Sequence, residues 1–291
     1  MSLTPDSKRV RMRIPLRATA SLVALLTLTL TGCAAGTPPT TGTDHADTMP
    51  HVHAIVPSPD GDGFLLGTHD GLYTATADGK LGTSIGSDNL DAMGLTALGG
   101  DLIASGHPGT RTPTDLGDHN LGVIRSRDGG TTWDPVAYTG EKDFHALTAA
   151  PDGTPYAQAT DNNVLMASTD RGVSWTPTGS RLQVFAIAVD TTGRIIATTS
   201  DGLHVSTDRG STFAPLPDAP NLYPLAASPD YQRLVGVDSK ETIWTSSASD
   251  PTWRNVGTVH GSAQAIAITD AGDILVVDDS GLTLLPPPAA N

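Results

Sequence analysis

Nine histidines lie along the 291 residues, at positions 45, 51, 53, 69, 107, 119, 145, 204 and 260. Neutral imidazole is a ligand for Zn, Cu, Fe and Ni, and a nearby thioether adds a preference for Cu(I). Two of these histidines and one methionine sit in short apolar runs of one kind: Val52-His53-Ala54-Ile55, Ala92-Met93-Gly94-Leu95 and Phe144-His145-Ala146-Leu147. Three later runs place Phe185, Tyr223 and Gln264 at the same position, and successive runs are 40, 52, 40, 38 and 41 residues apart. Carboxylates offer a second chemistry. Glycoside hydrolysis needs a pair of them about 5 to 10 Å apart, and Asp70, Asp91, Asp143 and Asp161 supply candidates. Other chemistries lack their residues. Cys33 is the only cysteine, so a thiolate zinc cluster is excluded. No Gly-x-Ser-x-Gly favours a serine nucleophile, and no glycine-rich loop opens a helix to cradle phosphate.

The elements that must position these residues are short strands. Each run is followed by a turn, such as Pro151-Asp152-Gly153 or Asp270-Ala271-Gly272, then by a second run such as Ile195 to Thr198. A third run (Leu203 to Ser206 in the fourth unit), another turn and a fourth strand complete the unit. Four strands in about 40 residues make one blade of a propeller, so the six units predict an all-β, six-bladed β-propeller over residues 51–291. Composition agrees: 29 of the 31 acidic residues are Asp, with 31 Gly and 22 Pro, all turn formers. The last unit stops after its third strand, Leu282 to Leu285, and the segment before His51 is the expected source of its fourth. Unit two carries an insert between its second and third strands, roughly Gly106 to Asn120. Long loops on a rigid scaffold often carry function.

Blade topology sorts the residues by face. Loops entering the first strands share one end of the central channel with the loops between second and third strands. His51, His53, His69, His107, His119, His145 and His260 map to that end. The predicted metal ligands are therefore His53, His69, Met93 and His145, for Cu or Zn, with His51, His107, His119 and Gln264 lining the same ligand site. The competing expectation is a wet channel mouth whose histidines only hydrogen-bond one another.

Three segments repeat the pattern Ser-x-Asp-x-Gly-x-Thr/Ser-aromatic: Ser126 to Trp133, Ser168 to Trp175 and Ser206 to Phe213. Weaker copies lie at Thr76 to Gly79 and around Ser249 to Trp253. The pattern resembles the Asp-box, or BNR repeat, of sialidases and related propellers. The order His51-x-His53, Thr68-His69-Asp70-Gly71, Met93-Gly94-Leu95, Gly106-His107-Pro108 and Asp143-Phe144-His145 further resembles a family of bacterial Asp-box lipoproteins commonly labelled sialidase-like or glycosyl hydrolase proteins. That resemblance covers roughly His51 to the end of the chain and is densest through blade three. It implies glycoside hydrolysis, for which Tyr223, Asp143 and Asp70 are the catalytic candidates, with Glu141 or Glu241 to activate the tyrosine. A sialidase also clamps its substrate carboxylate with three arginines. Here only Arg111 and Arg181 of the nine arginines beyond residue 32 map to the histidine end. The leading expectation is therefore a non-catalytic ligand-binding or assembly protein, with a sialidase-like hydrolase as the alternative.

The chain opens with a basic segment, Lys8 to Arg17, and an uncharged run, Ala18 to Leu30, that ends in Leu30-Thr31-Gly32-Cys33. About 13 apolar residues suit a signal peptide better than a membrane span. The ending resembles a bacterial lipobox, which implies a signal peptide over 1–32 and lipidation of Cys33. Residues 33–50, rich in Thr, Pro and Gly, then read as a flexible tether. The expected location is the outer face of the cytoplasmic membrane, with an envelope protein or a glycan as further partner. Net charge is −14, and residues beyond 32 hold 12 basic against 30 acidic side chains. That balance excludes nucleic acid, whose phosphates need clustered Lys and Arg.

Overall fold

The computed structural model describes residues 49–58, 61 and 63–287. The expected signal peptide, Cys33 and nearly all of the expected tether lie outside the described residues. No described helix is long and apolar enough to cross a membrane. Among the described residues the one helical element is a short 3-10 turn, Thr114–Leu116.

Six antiparallel sheets follow one another along the chain, spanning 52–85, 91–137, 144–177, 186–215, 222–258 and 265–285. Each is a meander in which neighbours in sequence are neighbours in the sheet. Second strands are buried throughout, as Phe64–Thr68, Pro155–Ala159, Ile195–Thr199 and Ile274–Asp278 show. Fourth strands are exposed, as in Thr176–Pro177 and Ala214–Pro215. This gradient explains the sequence pattern. Strands covered on both faces read as continuous apolar runs, and outer strands do not.

The core is divided into six clusters, one for each junction between blades. Leu65 and Leu72 of blade one meet Leu95, Leu102 and Ile124 of blade two. Leu98 and Ile103 of blade two meet Phe144 and Ala157 of blade three. The series continues around the ring. It closes where Val52, Ile55 and Leu66 of blade one pack on Ala265, Leu275 and Val277 of blade six. Among the described residues the sixth sheet has three strands, Ala265–Ile268, Ile274–Asp278 and Gly281–Leu285. Met49 packs against the closing cluster but pairs with no strand. Apolar contact between blades one and six closes the described ring, and the rest of the segment before His51, the expected source of a fourth strand, lies outside the described residues. One polar staple assists it: the Gln264 Oε1 accepts the Val52 backbone N–H at 2.9 Å.

The three Ser-x-Asp-x-Gly turns connect third to fourth strands and share one hydrogen-bond scheme. In the first, Asp128 accepts from the Thr132 amide (2.9 Å) and hydroxyl (2.6 Å), and from the Ser126 hydroxyl (2.8 Å). Asp170 and Asp208 repeat these contacts with Ser174 and Thr212. The donors hold all three carboxyls down to about 2, the neighbouring Thr or Ser hydroxyl contributing most. Trp133 and Trp175 follow the turns and seal the interblade clusters, each donating its indole N–H to a turn carbonyl. These turns are structural, and they lie at the end of the molecule opposite the histidines.

The insert of blade two is packed rather than loose. Leu116 and Leu121 are fully buried in the cluster between blades one and two. Arg111 anchors its tip, donating from Nε to the Ser87 carbonyl at 3.0 Å.

Candidate metal centres at the histidine end of the channel

The six first strands surround a channel of about 1430 Å³. His53, Met93, His145, Phe185, Tyr223 and Gln264 all line it, as the repeat position requires. Alternation along a strand explains why. Residues two apart point the same way, so a side chain two places before each channel residue also reaches the channel end. At these earlier positions stand His51, Asp91 and Asp143 in the first three blades.

Two groups of three ligating side chains result. The first joins His53 and His69 of blade one to Asp91 of blade two. His53 Nε2 lies 3.2 Å from His69 Nδ1. Asp91 Oδ2 lies 2.9 Å from His69 Nδ1, and its Oδ1 lies 3.3 Å from His53 Nε2. Asp91 Oδ1 is buried and makes no hydrogen bond. Burial alone would raise the Asp91 carboxyl, but the imidazoles of His53 and His69 beside it outweigh that and leave it below the usual range. Asp91 is therefore an anion at neutral pH. The His51 ring stands 4.9 Å from that of His53 and 5.4 Å from that of His69. Burial first, then the two neighbouring histidines, lowers its affinity for a proton.

The second group joins His107 of blade two to Asp143 and His145 of blade three. Asp143 Oδ2 lies 2.7 Å from His145 Nε2 and 3.4 Å from His107 Nε2. Asp143 is 6 % exposed, and its Oδ1 also makes no hydrogen bond. His107 Nδ1 is 3.1 Å from the His119 carbonyl oxygen. A carbonyl only accepts, so His107 donates from Nδ1, and in the neutral ring this leaves Nε2, which faces Asp143, as the atom that could bind an ion. Fixing the far nitrogen of a ligand histidine in this way is how outer contacts orient metal sites. Lys142, next to Asp143 in sequence, pairs with Asp161 at 2.8 Å instead.

The two groups are one interblade device used twice. In each, a residue at the end of a blade's second strand (His69, His107) meets a carboxylate two places before the next blade's channel residue (Asp91, Asp143). The third ligand differs: His53 comes from the earlier blade, His145 from the later. Met93 occupies in the second device the position His53 holds in the first. Gly106 makes the arrangement fit. Its φ is +144°, and a Cβ there would stand 1.9 Å from the Asp91 carbonyl oxygen.

The remaining sequence candidates fall elsewhere. His119 contributes its carbonyl, and the Gln264 Oε1 is held by the Val52 N–H. Asp70 stays outside both groups and accepts from Asn89 Nδ2 at 3.3 Å. Tyr223 is 62 % exposed, and its ring meets that of Phe185 edge-on at 5.7 Å. Among the described residues the channel lining includes one arginine, Arg171. It belongs to the opposite end, where it donates to the Leu98 carbonyl and pairs with Asp101. Asp91 and Asp143 read in the sequence only as members of a possible carboxylate pair. The signal for their place beside the histidines was the i, i+2 spacing of Asp91 to Met93 and Asp143 to His145.

Residues 114–229 match the family model described as DUF6242 beta propeller domain. No curated protein matches the chain. Among solved structures it is similar to a GH74 enzyme of Niastella koreensis, with TM-score 0.57 and 15 % identity over 78 % of this chain and 40 % of that one. An ancestral GH74 enzyme aligns with TM-score 0.50 and 15 % identity over 81 % of this chain and 36 % of the enzyme. The chain thus spans about two fifths of the length of these enzymes. A catalytically inactive virginiamycin B lyase from Staphylococcus aureus, solved with quinupristin, aligns with TM-score 0.51 and 14 % identity over 83 % of this chain and 86 % of that one. At such identities the likeness concerns fold alone. Sheet order and comparisons together establish the chain as an all-β, six-bladed β-propeller.

Proposed function

We propose that this propeller is a transition-metal-binding protein of the bacterial envelope, holding Zn or Cu in two His2Asp sites at the histidine end of its channel. One observation carries the reading. Each site brings two imidazole nitrogens to a carboxylate, half-buried at Asp91 and buried at Asp143, that has one buried oxygen making no hydrogen bond. A buried carboxylate oxygen without a hydrogen bond is costly, and a cation removes that cost. The separations fit as well. Bonds of about 2.0 to 2.1 Å give donor–donor edges of roughly 2.9 Å in an octahedron and 3.3 Å in a tetrahedron. The first site shows 3.2 Å between His53 Nε2 and His69 Nδ1, with Asp91 presenting Oδ2 at 2.9 Å to His69 and Oδ1 at 3.3 Å to His53, so both carboxylate oxygens face the ion position. Two His and one Asp would hold the ion and leave further coordination positions open toward the channel, as in sites that bind an exogenous ligand.

The rest of the reading follows from sequence. The Leu30-Thr31-Gly32-Cys33 ending supports a lipid anchor at Cys33 that keeps the propeller outside the cytoplasmic membrane. The Ser-x-Asp-x-Gly turns support Asp-box ancestry, with its aspartates used for structure.

The test is metal retention. The propeller from residue 34 onward, without a histidine tag, is incubated with Zn or Cu, desalted and analysed by elemental mass spectrometry. The expected result is up to two equivalents in the wild type and a loss from both sites in the His53→Ala/His145→Ala double variant. Equal retention by the folded double variant, or none by the wild type, would overturn the proposal. Turnover of fluorogenic glycosides that is abolished in Asp143→Asn would replace it with the hydrolase reading.

A further inference from the structure

Metal donors occupy only part of the channel wall, and the remainder has a different chemistry. Four large apolar side chains are exposed among the described residues: Leu81, Val173, Phe185 and Tyr223. Phe185 and Tyr223 are both in the channel lining and form one edge-to-face pair. They come from blades four and five and hold the repeat position that His53 holds in blade one. In a ring of six, the junction of blades four and five lies directly across the axis from the junction of blades one and two. The aromatic pair therefore lies across the ring from the junction that holds His53, His69 and Asp91, of which His53 lines the channel at the same repeat position. Spread along strands of five or six residues at about 3.3 Å each, a 1430 Å³ channel is on the order of 10 Å across. A hydrated ion does not fill that gap, whereas one planar ring carrying its own donor atoms does.

We infer that the channel takes a small aromatic chelator: a planar ring bearing two adjacent oxygen or nitrogen donors. The donors complete the coordination of the ion at His53, His69 and Asp91, and the ring lies against Phe185 and Tyr223. This inference rests on the metal reading above. It assigns Phe185 and Tyr223, which hold no metal, the role of selecting what the metal may bind. Aromatic pairs prefer offset or edge-on contact and add to binding beyond simple area burial.

The probes are benzohydroxamate and acetohydroxamate, which present the same donor pair with and without a phenyl ring. Each is titrated calorimetrically into zinc-loaded wild type, Tyr223→Ala and Phe185→Ala, and zinc content is measured before and after. The expected result is a phenyl preference in the wild type that falls roughly two- to tenfold in either variant, with acetohydroxamate affinity and zinc content unchanged. Tyr223→Leu, which keeps apolar bulk at an exposed position, guards against misfolding and should lose part of the preference. An unaltered phenyl preference in all three variants would overturn the inference while leaving the metal sites intact, as would tighter binding of a neutral disaccharide than of benzohydroxamate. Zinc carried off by the chelator would overturn it too. Failure of the wild type to hold zinc at all would remove the metal reading and this inference together, and the zinc assay identifies that case.

Discussion

Replacing Asp91 by Asn tests the link between the first metal site and the fold. Asn keeps the shape and one acceptor but removes the charge that faces His53 and His69. A ligand that binds only the folded state at about 100 times its Kd stabilises by about 2.7 kcal/mol. Removing the anionic ligand should weaken the site by at least the roughly 100-fold seen for lost outer contacts, which leaves about 0.4 kcal/mol at the same zinc concentration. The difference, about 2.3 kcal/mol, corresponds to about 5 to 9 °C in Tm for a domain of this size. Differential scanning calorimetry should therefore show a zinc-induced rise in both proteins, smaller in Asp91→Asn by that amount, because the Asp143 site still loads. Without zinc the variant loses a different contribution. The Asp91 carboxyl is held below its ordinary value, so its stabilisation is present above the unfolded value near 3.9 and fades as pH falls. The argument is refuted if zinc raises the Tm of Asp91→Asn as much as that of the wild type.

Three further outcomes are expected. Gly106→Ala should lower stability and weaken both metal sites, since the new Cβ collides with the Asp91 backbone beside His107; zinc retention and Tm measured on one preparation check this. Leu116→Ala should cost about 2 to 5 kcal/mol, as for other fully buried leucines, and urea unfolding that shows under 1 kcal/mol would mean the insert is not part of the core. Acid should destabilise the ring through its turns. Asp128, Asp170 and Asp208 titrate at about 2 in the folded chain, so their contribution is full above about pH 4 and is lost between there and pH 2. A triple Asn variant should show a flatter Tm profile across that window.

Blade number, strand order and the turn chemistry were legible because they repeat. Each of the six apolar runs lies at a junction where both faces are covered, so its pattern survives in the sequence. The face that carries the histidines was legible for the same reason, since a meander fixes which loops share an end. Three features were not. Asp91 and Asp143 were read as candidates for a carboxylate pair but not as partners of the histidines, and among 29 aspartates only their distance from the channel residue of the same blade marks that role. Of the expected single cluster of His53, His69, Met93 and His145, the first two fall in one group and His145 in another, with Met93 in neither, because each group is built across a different junction and sequence periodicity does not say which neighbour a loop leans toward. Ring closure was the third. The described contact between blades one and six is apolar packing plus the Gln264 staple, made between residues far apart in sequence, and most of the segment expected to lend a strand lies outside the described residues.

X-ray absorption at the zinc edge addresses the central claim most directly. In the zinc-loaded wild type the account predicts a first shell of nitrogen and oxygen at about 2.0 to 2.1 Å, with outer-shell scattering from two imidazoles per ion. The His53→Ala/His145→Ala double variant, which should not retain zinc after desalting, serves as the blank. A spectrum of oxygen ligands alone, without imidazole scattering, would contradict the account.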